Sequence, residues 1–123
     1  MARDEARAIA EHEAAHCIVA WGLGVYVAST RINPRGFGAT LVEPAGRAID
    51  AAVSAGGDVW DVEFADQPYR DGSCQDLIDQ LALVGTAGIW QARRTARGIL
   101  MARRRDVLNL AGQLYQEREL RFA

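Results

Sequence analysis

The opening segment of the chain constrains its fold more than any other feature. Residues 3–21 contain neither glycine nor proline and are rich in alanine, which has the highest helix propensity of the amino acids. Gly22 and Gly24 then supply a helix end. The helix is also supported by residues that follow one another at spacings of three and four, as on one helical face: Ala6, Ile9, Ala10, Glu13, His16, Cys17 and Ala20.

Inside this predicted helix lies the sequence His12-Glu13-Ala14-Ala15-His16, an H-E-x-x-H motif. Residues four apart lie one turn above each other on the same helical face, so both imidazoles can reach one ion. Glu13 lies beside the pair, where its carboxylate can take a proton from a water bound to the metal. The motif predicts a zinc site with His12 and His16 as ligands and Glu13 as general base in amide hydrolysis. Because short motifs also arise by chance, a pair of core histidines without metal is the alternative interpretation.

A catalytic zinc ion takes three protein ligands and keeps one position for water. His12 and His16 are the only histidines of the chain. Cys17 follows His16 directly but points about a third of a turn away around the helix, so we interpret it as a small core residue. The third ligand is therefore expected to be a carboxylate.

The segment after the first helix predicts a β-hairpin. Residues 25–32 are rich in β-branched side chains and predict a strand. Residues 37–43 are interpreted as a second strand, and the turn residues Asn33, Pro34, Arg35 and Gly36 lie between the two. Further along the chain, residues 59–64 are interpreted as an irregular edge strand.

The remaining periodic segments predict helices. Within them, Gly85 and Gly88 are unfavourable for a helix, and we expect them to permit close approach of the first helix. The predicted fold is α+β, a mainly helical bundle with a small antiparallel hairpin or sheet beside the helix that carries the motif. The predicted helices span residues 45–55, 74–97 and 101–117.

Composition indicates one soluble domain spanning residues 1–123. The chain is half apolar and 24% charged, with a formal net charge of −2, and no apolar run is long enough to cross a bilayer. The N-terminus lacks the features of a secretion signal, and the two cysteines, Cys17 and Cys74, give no indication of an exported disulfide scaffold. A cytoplasmic location with free thiols is expected.

The sequences AEHEAAHCIVAW and INPRGFGATLVEP resemble the peptidase domain of the FtsH-type ATP-dependent zinc metalloproteases. That family has a His-Glu-Ala-Gly-His helix followed by a β-hairpin with an Ile-x-Pro-Arg-Gly segment, which Ile32, Pro34, Arg35 and Gly36 match. The resemblance is strong over roughly the first 45 residues and weak beyond them. No phosphate-binding loop is present in the sequence, so the ATP-driven unfolding of the family is not expected here.

The resemblance also implies a third zinc ligand, an aspartate that opens the helix after a second, small-residue helix. When residues 81–91 are matched to that small-residue helix, the order of elements places the ligand at Asp106. Asp76 is the alternative ligand. Its local sequence is more similar to that of the family, but with this match it precedes the small-residue helix in the chain, whereas the family's ligand follows that helix. In both cases an ordinary aspartate at a helix start is the alternative role.

These features together predict a zinc-dependent endopeptidase that acts on flexible or unfolded polypeptide. An extended substrate would add to the edge of the second strand as a further strand. A catalytically silent binding module derived from a peptidase is the alternative function, and self-association into a homo-oligomer is left open. The predicted substrate-binding residues are Gly38, Ala39, Thr40, Leu41 and Val42.

An arginine-rich stretch near the C-terminus has two interpretations, a solvated helix corner or a surface for phosphate or an acidic partner. Nucleic acid is not a favoured partner, because stacking aromatic residues are not interleaved with the arginines. The cluster comprises Arg93, Arg94, Arg97, Arg103, Arg104 and Arg105.

Overall fold

The computed structural model describes residues 1–123 and confirms the α+β class, with four helices and one small antiparallel sheet. The sheet contains three strands in the order β2-β1-β3. The elements in chain order are α1 (Arg3–Gly22), β1 (Val27–Ile32), β2 (Gly38–Val42), α2 (Arg47–Glu63), α3 (Arg70–Ala102), α4 (Arg104–Glu117) and β3 (Glu119–Arg121).

Helix α1 is the central element, as its alanine-rich sequence predicts. Its side chains from Ala14 to Ala20 are all buried, and α2, α4 and the β1–β2 hairpin pack around it. Small side chains allow these neighbours to approach from several directions, so the motif-bearing face is enclosed by other elements. The helix ends at Gly22, and Gly24 adopts a positive φ of 74° that favours glycine.

The predicted hairpin is confirmed. β1 pairs antiparallel with β2, with Thr30 opposite Thr40 and Ile32 opposite Gly38. The short strand β3, which the sequence patterns do not indicate, covers the other edge of β1. One edge of β2 therefore carries no neighbouring strand, and several residues of β2 line the cleft beside α1.

Two predictions about the middle of the chain are wrong. Residues 59–64 do not form an edge strand, because α2 continues through Gly56 and Gly57 to Glu63. The large hydrophobic side chain in this segment, Trp60, is buried in the core, which explains why a helix forms despite two consecutive glycines.

The explanation expected for Gly85 and Gly88 is also wrong. Gly85 has φ 67° and ψ −175°, so it interrupts the helical geometry of α3 and produces a kink. A Cβ atom at Gly85 would meet nothing within 4 Å, and one at Gly88 would meet only Val84 of the same helix. Helix α3 packs mainly on α2 rather than on α1.

The two cysteines are free: Cys17 is buried and Cys74 is exposed. Burial raises the pKa of the Cys17 thiol to about 12, as expected for an unreactive core residue. None of the helices is both long and apolar enough to span a bilayer.

Candidate metal centre

Three side-chain atoms converge at one point between α1 and α3. The Nε2 atoms of His12 and His16 lie 3.2 Å apart. Oδ2 of Asp76 lies 2.9 Å from Nε2 of His12 and 3.1 Å from Nε2 of His16. All three side chains are buried. The two histidines stand one turn apart on α1, and Asp76 reaches them from the second turn of α3.

The other nitrogen of each imidazole has a fixed hydrogen-bond acceptor. Nδ1 of His12 donates to Oδ2 of Asp61 at 2.7 Å, and Nδ1 of His16 donates to the backbone carbonyl oxygen of Val53 at 2.8 Å. Ser73 also donates to Oδ2 of Asp61 and so holds that carboxylate in place. With protons on both Nδ1 atoms, both Nε2 atoms direct lone pairs toward Asp76, the arrangement usual for metal-ligating histidines.

Two glycines allow the backbone to lie directly against the imidazoles. A Cβ at Gly57 of α2 would lie 2.5 Å from Nε2 of His12 and 2.7 Å from Nε2 of His16. A Cβ at Gly72 of α3 would lie 2.9 Å from Nε2 of His12. No side chain fits at either position, so the glycines leave free the space next to the converging atoms.

The donor set and its spacing fit zinc. Ligand atoms of a tetrahedral zinc site, at Zn–N and Zn–O distances near 2.0–2.1 Å, lie roughly 3.3 Å from one another. The observed separations of 2.9, 3.1 and 3.2 Å are close to that value. Oδ2 of Asp76 is buried and receives no hydrogen bond unless the imidazoles carry protons on Nε2, which indicates that a positive charge belongs beside it.

In the metal-free protein, protons supply that positive charge. Burial alone would lower the pKa of His12, but hydrogen bonds to Asp61 and Asp76 outweigh it and raise the pKa to about 10. Burial likewise opposes the charged form of His16, and the negative charge of Asp76 raises its pKa to about 9. Burial would raise the pKa of Asp76, yet the charge of His16 and the hydrogen bonds to both imidazoles lower it to about 2.

Glu13 lies beside the three converging atoms and is separately anchored. Its Oε1 accepts a hydrogen bond of 2.6 Å from the Thr40 hydroxyl, and its Oε2 lies 3.9 Å from Nε2 of His12. Gly38 packs on this carboxylate so closely that a Cβ there would lie 2.5 Å from Oε2. His12, Glu13 and His16 form a buried group of potential ligand atoms within 4.8 Å of one another.

A cleft of about 510 Å³ opens onto these side chains. Of the predicted substrate-binding residues, Gly38, Ala39, Thr40 and Val42 line it. Leu41 does not: its side chain is 62% exposed and lines a separate pocket outside the cleft. Tyr69 closes one side of the cleft, with its ring 5.1 Å from the His12 ring in an edge-on arrangement. Burial raises the pKa of the Tyr69 phenol.

The structure corrects the preferred choice of the third acidic residue. Asp106 is exposed in the first turn of α4 and does not line the cleft, whereas the alternative, Asp76, lies against both imidazoles. The physical reason is the identity of the helix that packs on the histidines. That helix is α2, through Gly57, and not the segment 81–91 of α3.

Sequence reasoning missed four residues of the site: Asp61, Tyr69, Gly72 and Ser73. Each contacts an imidazole or its hydrogen-bond partner only through tertiary packing. The one available signal was the Gly56-Gly57 pair, because glycines retained inside a helix often mark close backbone approach.

Three arginines of the arginine-rich stretch make contacts within the chain. Arg93 forms an ion pair with the buried Asp58, and Arg97 pairs with Glu63 at 2.7 Å. The Arg104 guanidinium lies 5.9 Å from the centre of the Phe64 ring. These contacts join α3 to the C-terminal half of α2, and α4 to Phe64, the residue that follows α2.

No protein-family model matches the chain, and no curated protein matches it.

Proposed function

We propose that this chain is a zinc-dependent peptidase-like domain that hydrolyses peptide bonds. The observation that carries the proposal is the convergence of Nε2 of His12, Nε2 of His16 and Oδ2 of Asp76 beside the Glu13 carboxylate. Two neutral imidazoles and one carboxylate are a donor set typical of catalytic zinc, which keeps its remaining position for water or substrate. The cleft supplies access to that position.

Zinc held by these three residues would supply a Lewis acid that polarises the scissile carbonyl and makes water more acidic. Glu13 takes the proton of the attacking water and delivers it to the leaving nitrogen as the C–N bond breaks. The Thr40 hydroxyl holds Oε1 of Glu13, so that Oε2 faces the histidines. Asp61 fixes the orientation of the His12 ring and keeps its Nε2 free of protons when metal is bound.

The substrate expected for this geometry is an extended polypeptide. The open edge of β2 has backbone groups that a further strand can pair with, and β2 lies directly beside Glu13 through Gly38 and Thr40. A folded protein does not offer an extended segment of this kind, so flexible or unfolded chains are the preferred class.

The order of the elements supports an FtsH-type relationship as part of the proposal. In the structure, the helix after the hairpin is α2 with its Gly56-Gly57 pair, and the next helix, α3, carries Asp76 near its start. Taking α2 as the small-residue helix makes Asp76 the residue that corresponds to the family's third ligand. Taking residues 81–91 as the small-residue helix displaces this position to Asp106.

The test is the variant Glu13→Gln, with Glu5→Gln as the matched control. Glutamine keeps an acceptor for Thr40 but cannot take a proton, so this variant should bind zinc with wild-type stoichiometry and lose cleavage of unstructured casein. Glu5 is exposed in the first turn of the same helix, and its variant should cleave at the wild-type rate. Unchanged cleavage by Glu13→Gln, or no cleavage by the zinc-loaded wild type, would contradict the proposal.

A catalytically silent binding module is the second candidate, favoured by one surface feature. Trp90 is 73% exposed and lines a shallow pocket with Val62 and three arginines, Arg93, Arg94 and Arg97. Exposed tryptophan and arginine are enriched at protein interfaces. Zinc binding without hydrolysis of any unstructured polypeptide would favour this candidate over the peptidase.

A further inference from the structure

Tyr69 is a cleft residue whose hydroxyl, a hydrogen-bond donor, has no role in the site described above. It lies immediately before α3, and its ring stands edge-on against His12 with 5.1 Å between the ring centres. Gly72 supports the ring from below, since a Cβ there would lie 2.6 Å from two of the ring carbons. The hydroxyl end of the ring lies against the backbone of Gly38, at the start of β2. Tyr69 therefore reaches from α3 across to the strand on which a substrate would pair.

The other neutral side chains of the cleft that can donate a hydrogen bond are already engaged. The Thr40 hydroxyl donates to Glu13, the Ser54 hydroxyl donates to the backbone oxygen of Asp76, and the Gln75 amide donates to Asp79. None of the chain's arginines lines the cleft. Outside the metal-binding imidazoles, the Tyr69 hydroxyl is thus the one donor group of the cleft that has no hydrogen-bond acceptor in the fold.

A free donor of this kind can accelerate peptide hydrolysis. When water attacks the scissile carbonyl, the carbonyl oxygen acquires negative charge, and a fixed hydrogen-bond donor in a site shielded from solvent stabilises that charge. The ring packing against His12 and Gly72 fixes the direction of the hydroxyl before substrate arrives.

We propose that the Tyr69 hydroxyl donates a hydrogen bond to the scissile carbonyl oxygen as its negative charge develops, and is thereby a catalytic residue. This inference rests on the proposed peptidase function. It adds Tyr69 to Glu13 as a side chain that acts directly on the reacting groups. Tyr69 keeps its proton throughout. The oxygen of water forms the new bond to the carbonyl carbon, Glu13 moves the water's proton to the nitrogen, and the C–N bond breaks.

The test compares Tyr69→Phe with Tyr115→Phe in the full zinc-loaded chain. Phenylalanine keeps the ring against His12 and removes only the hydroxyl. Tyr115 lies on α4 outside the cleft and serves as the matched control. With a fluorogenic peptide taken from a site that the wild type cleaves in casein, Tyr69→Phe should lower kcat by about a hundredfold and leave KM and the zinc content unchanged. Tyr115→Phe should behave as the wild type.

A second readout does not depend on turnover. A phosphonamidate peptide of the same sequence carries the tetrahedral, negatively charged oxygens of the transition state, and calorimetry measures its Kd. Tyr69→Phe should weaken this binding by about the same hundredfold, because transition-state analogues report interactions made only in the transition state. Cleavage and phosphonamidate binding equal to wild type in Tyr69→Phe would overturn the role of Tyr69 alone. No cleavage by the zinc-loaded wild type would overturn the proposed function and this inference with it.

Discussion

The closest backbone contact of the site gives a sharp prediction. Gly57 of α2 faces both imidazoles, and an added Cβ would lie 2.5 Å from Cε1 and Nε2 of His12 and 2.7 Å from Nε2 of His16. Favourable contacts between heavy atoms of this kind begin near 3.5 Å, so the variant Gly57→Ala must separate α2 from the histidines by about 1 Å.

The magnitude of the effect follows from that displacement. Overpacking of this size destabilises a core by about 1–3 kcal/mol, and the higher helix propensity of alanine returns about 1 kcal/mol. The variant should therefore still fold, with a net destabilisation of about 0–2 kcal/mol. Zinc ligands tolerate displacements of only about 0.2 Å, so the same movement should weaken zinc binding by at least about 100-fold.

The assay is a zinc titration in competition with a chromogenic chelator, accompanied by thermal unfolding of the metal-free protein. Gly98→Ala is the matched control, because Gly98 is exposed in α3 and a Cβ there would meet nothing within 4 Å. The control should bind zinc as the wild type does and should be slightly more stable. Wild-type zinc affinity in a folded Gly57→Ala variant would refute the position assigned to α2.

The remaining predictions concern the hydrogen bonds and protons of the site. Asp61→Asn removes the carboxylate that fixes the His12 ring, and zinc affinity in the same titration should fall about 10- to 100-fold; an unchanged affinity would contradict that role. In the metal-free chain, the pKa values of His12 and His16 are raised to about 10 and 9, so the folded state holds protons that the unfolded chain has released. Their stabilisation is complete below the unfolded value near 6.5 and is lost as pH rises through 9 and 10, so urea unfolding in a chelator should show stability falling between pH 7 and pH 10. Zinc must displace those protons, and calorimetry at pH 7 in buffers of different ionisation enthalpy should detect proton release on binding; heats independent of the buffer would contradict it.

The features that the sequence predicts correctly depend on local chemistry. Helix α1 follows from alanine content and the absence of glycine and proline, and the spacing of His12 and His16 within one helix brings their rings together whatever else the chain does. The hairpin of β1 and β2 follows in the same way from two strand-like segments joined by a short turn.

The features that sequence reasoning misses depend on the tertiary packing of the helices against one another. Gly56 and Gly57 read as the end of a helix, yet burial of Trp60 carries α2 through them to Glu63. That error hides the helix that contacts the imidazoles and shifts the expected third acid from Asp76 to Asp106. Asp61 and Tyr69 reach the site through tertiary contacts alone, so no local spacing reveals them.

Metal analysis of purified chains tests the central claim most directly. The wild type and the variants Asp76→Ala and Asp106→Ala are saturated with zinc, dialysed against metal-free buffer and measured for bound zinc. Because Asp76 touches both imidazoles and Asp106 is exposed on α4, the wild type and Asp106→Ala should each retain one zinc ion per chain, whereas Asp76→Ala should lose it. A wild type that retains no zinc, or an Asp76→Ala chain that retains it as the wild type does, would contradict the account.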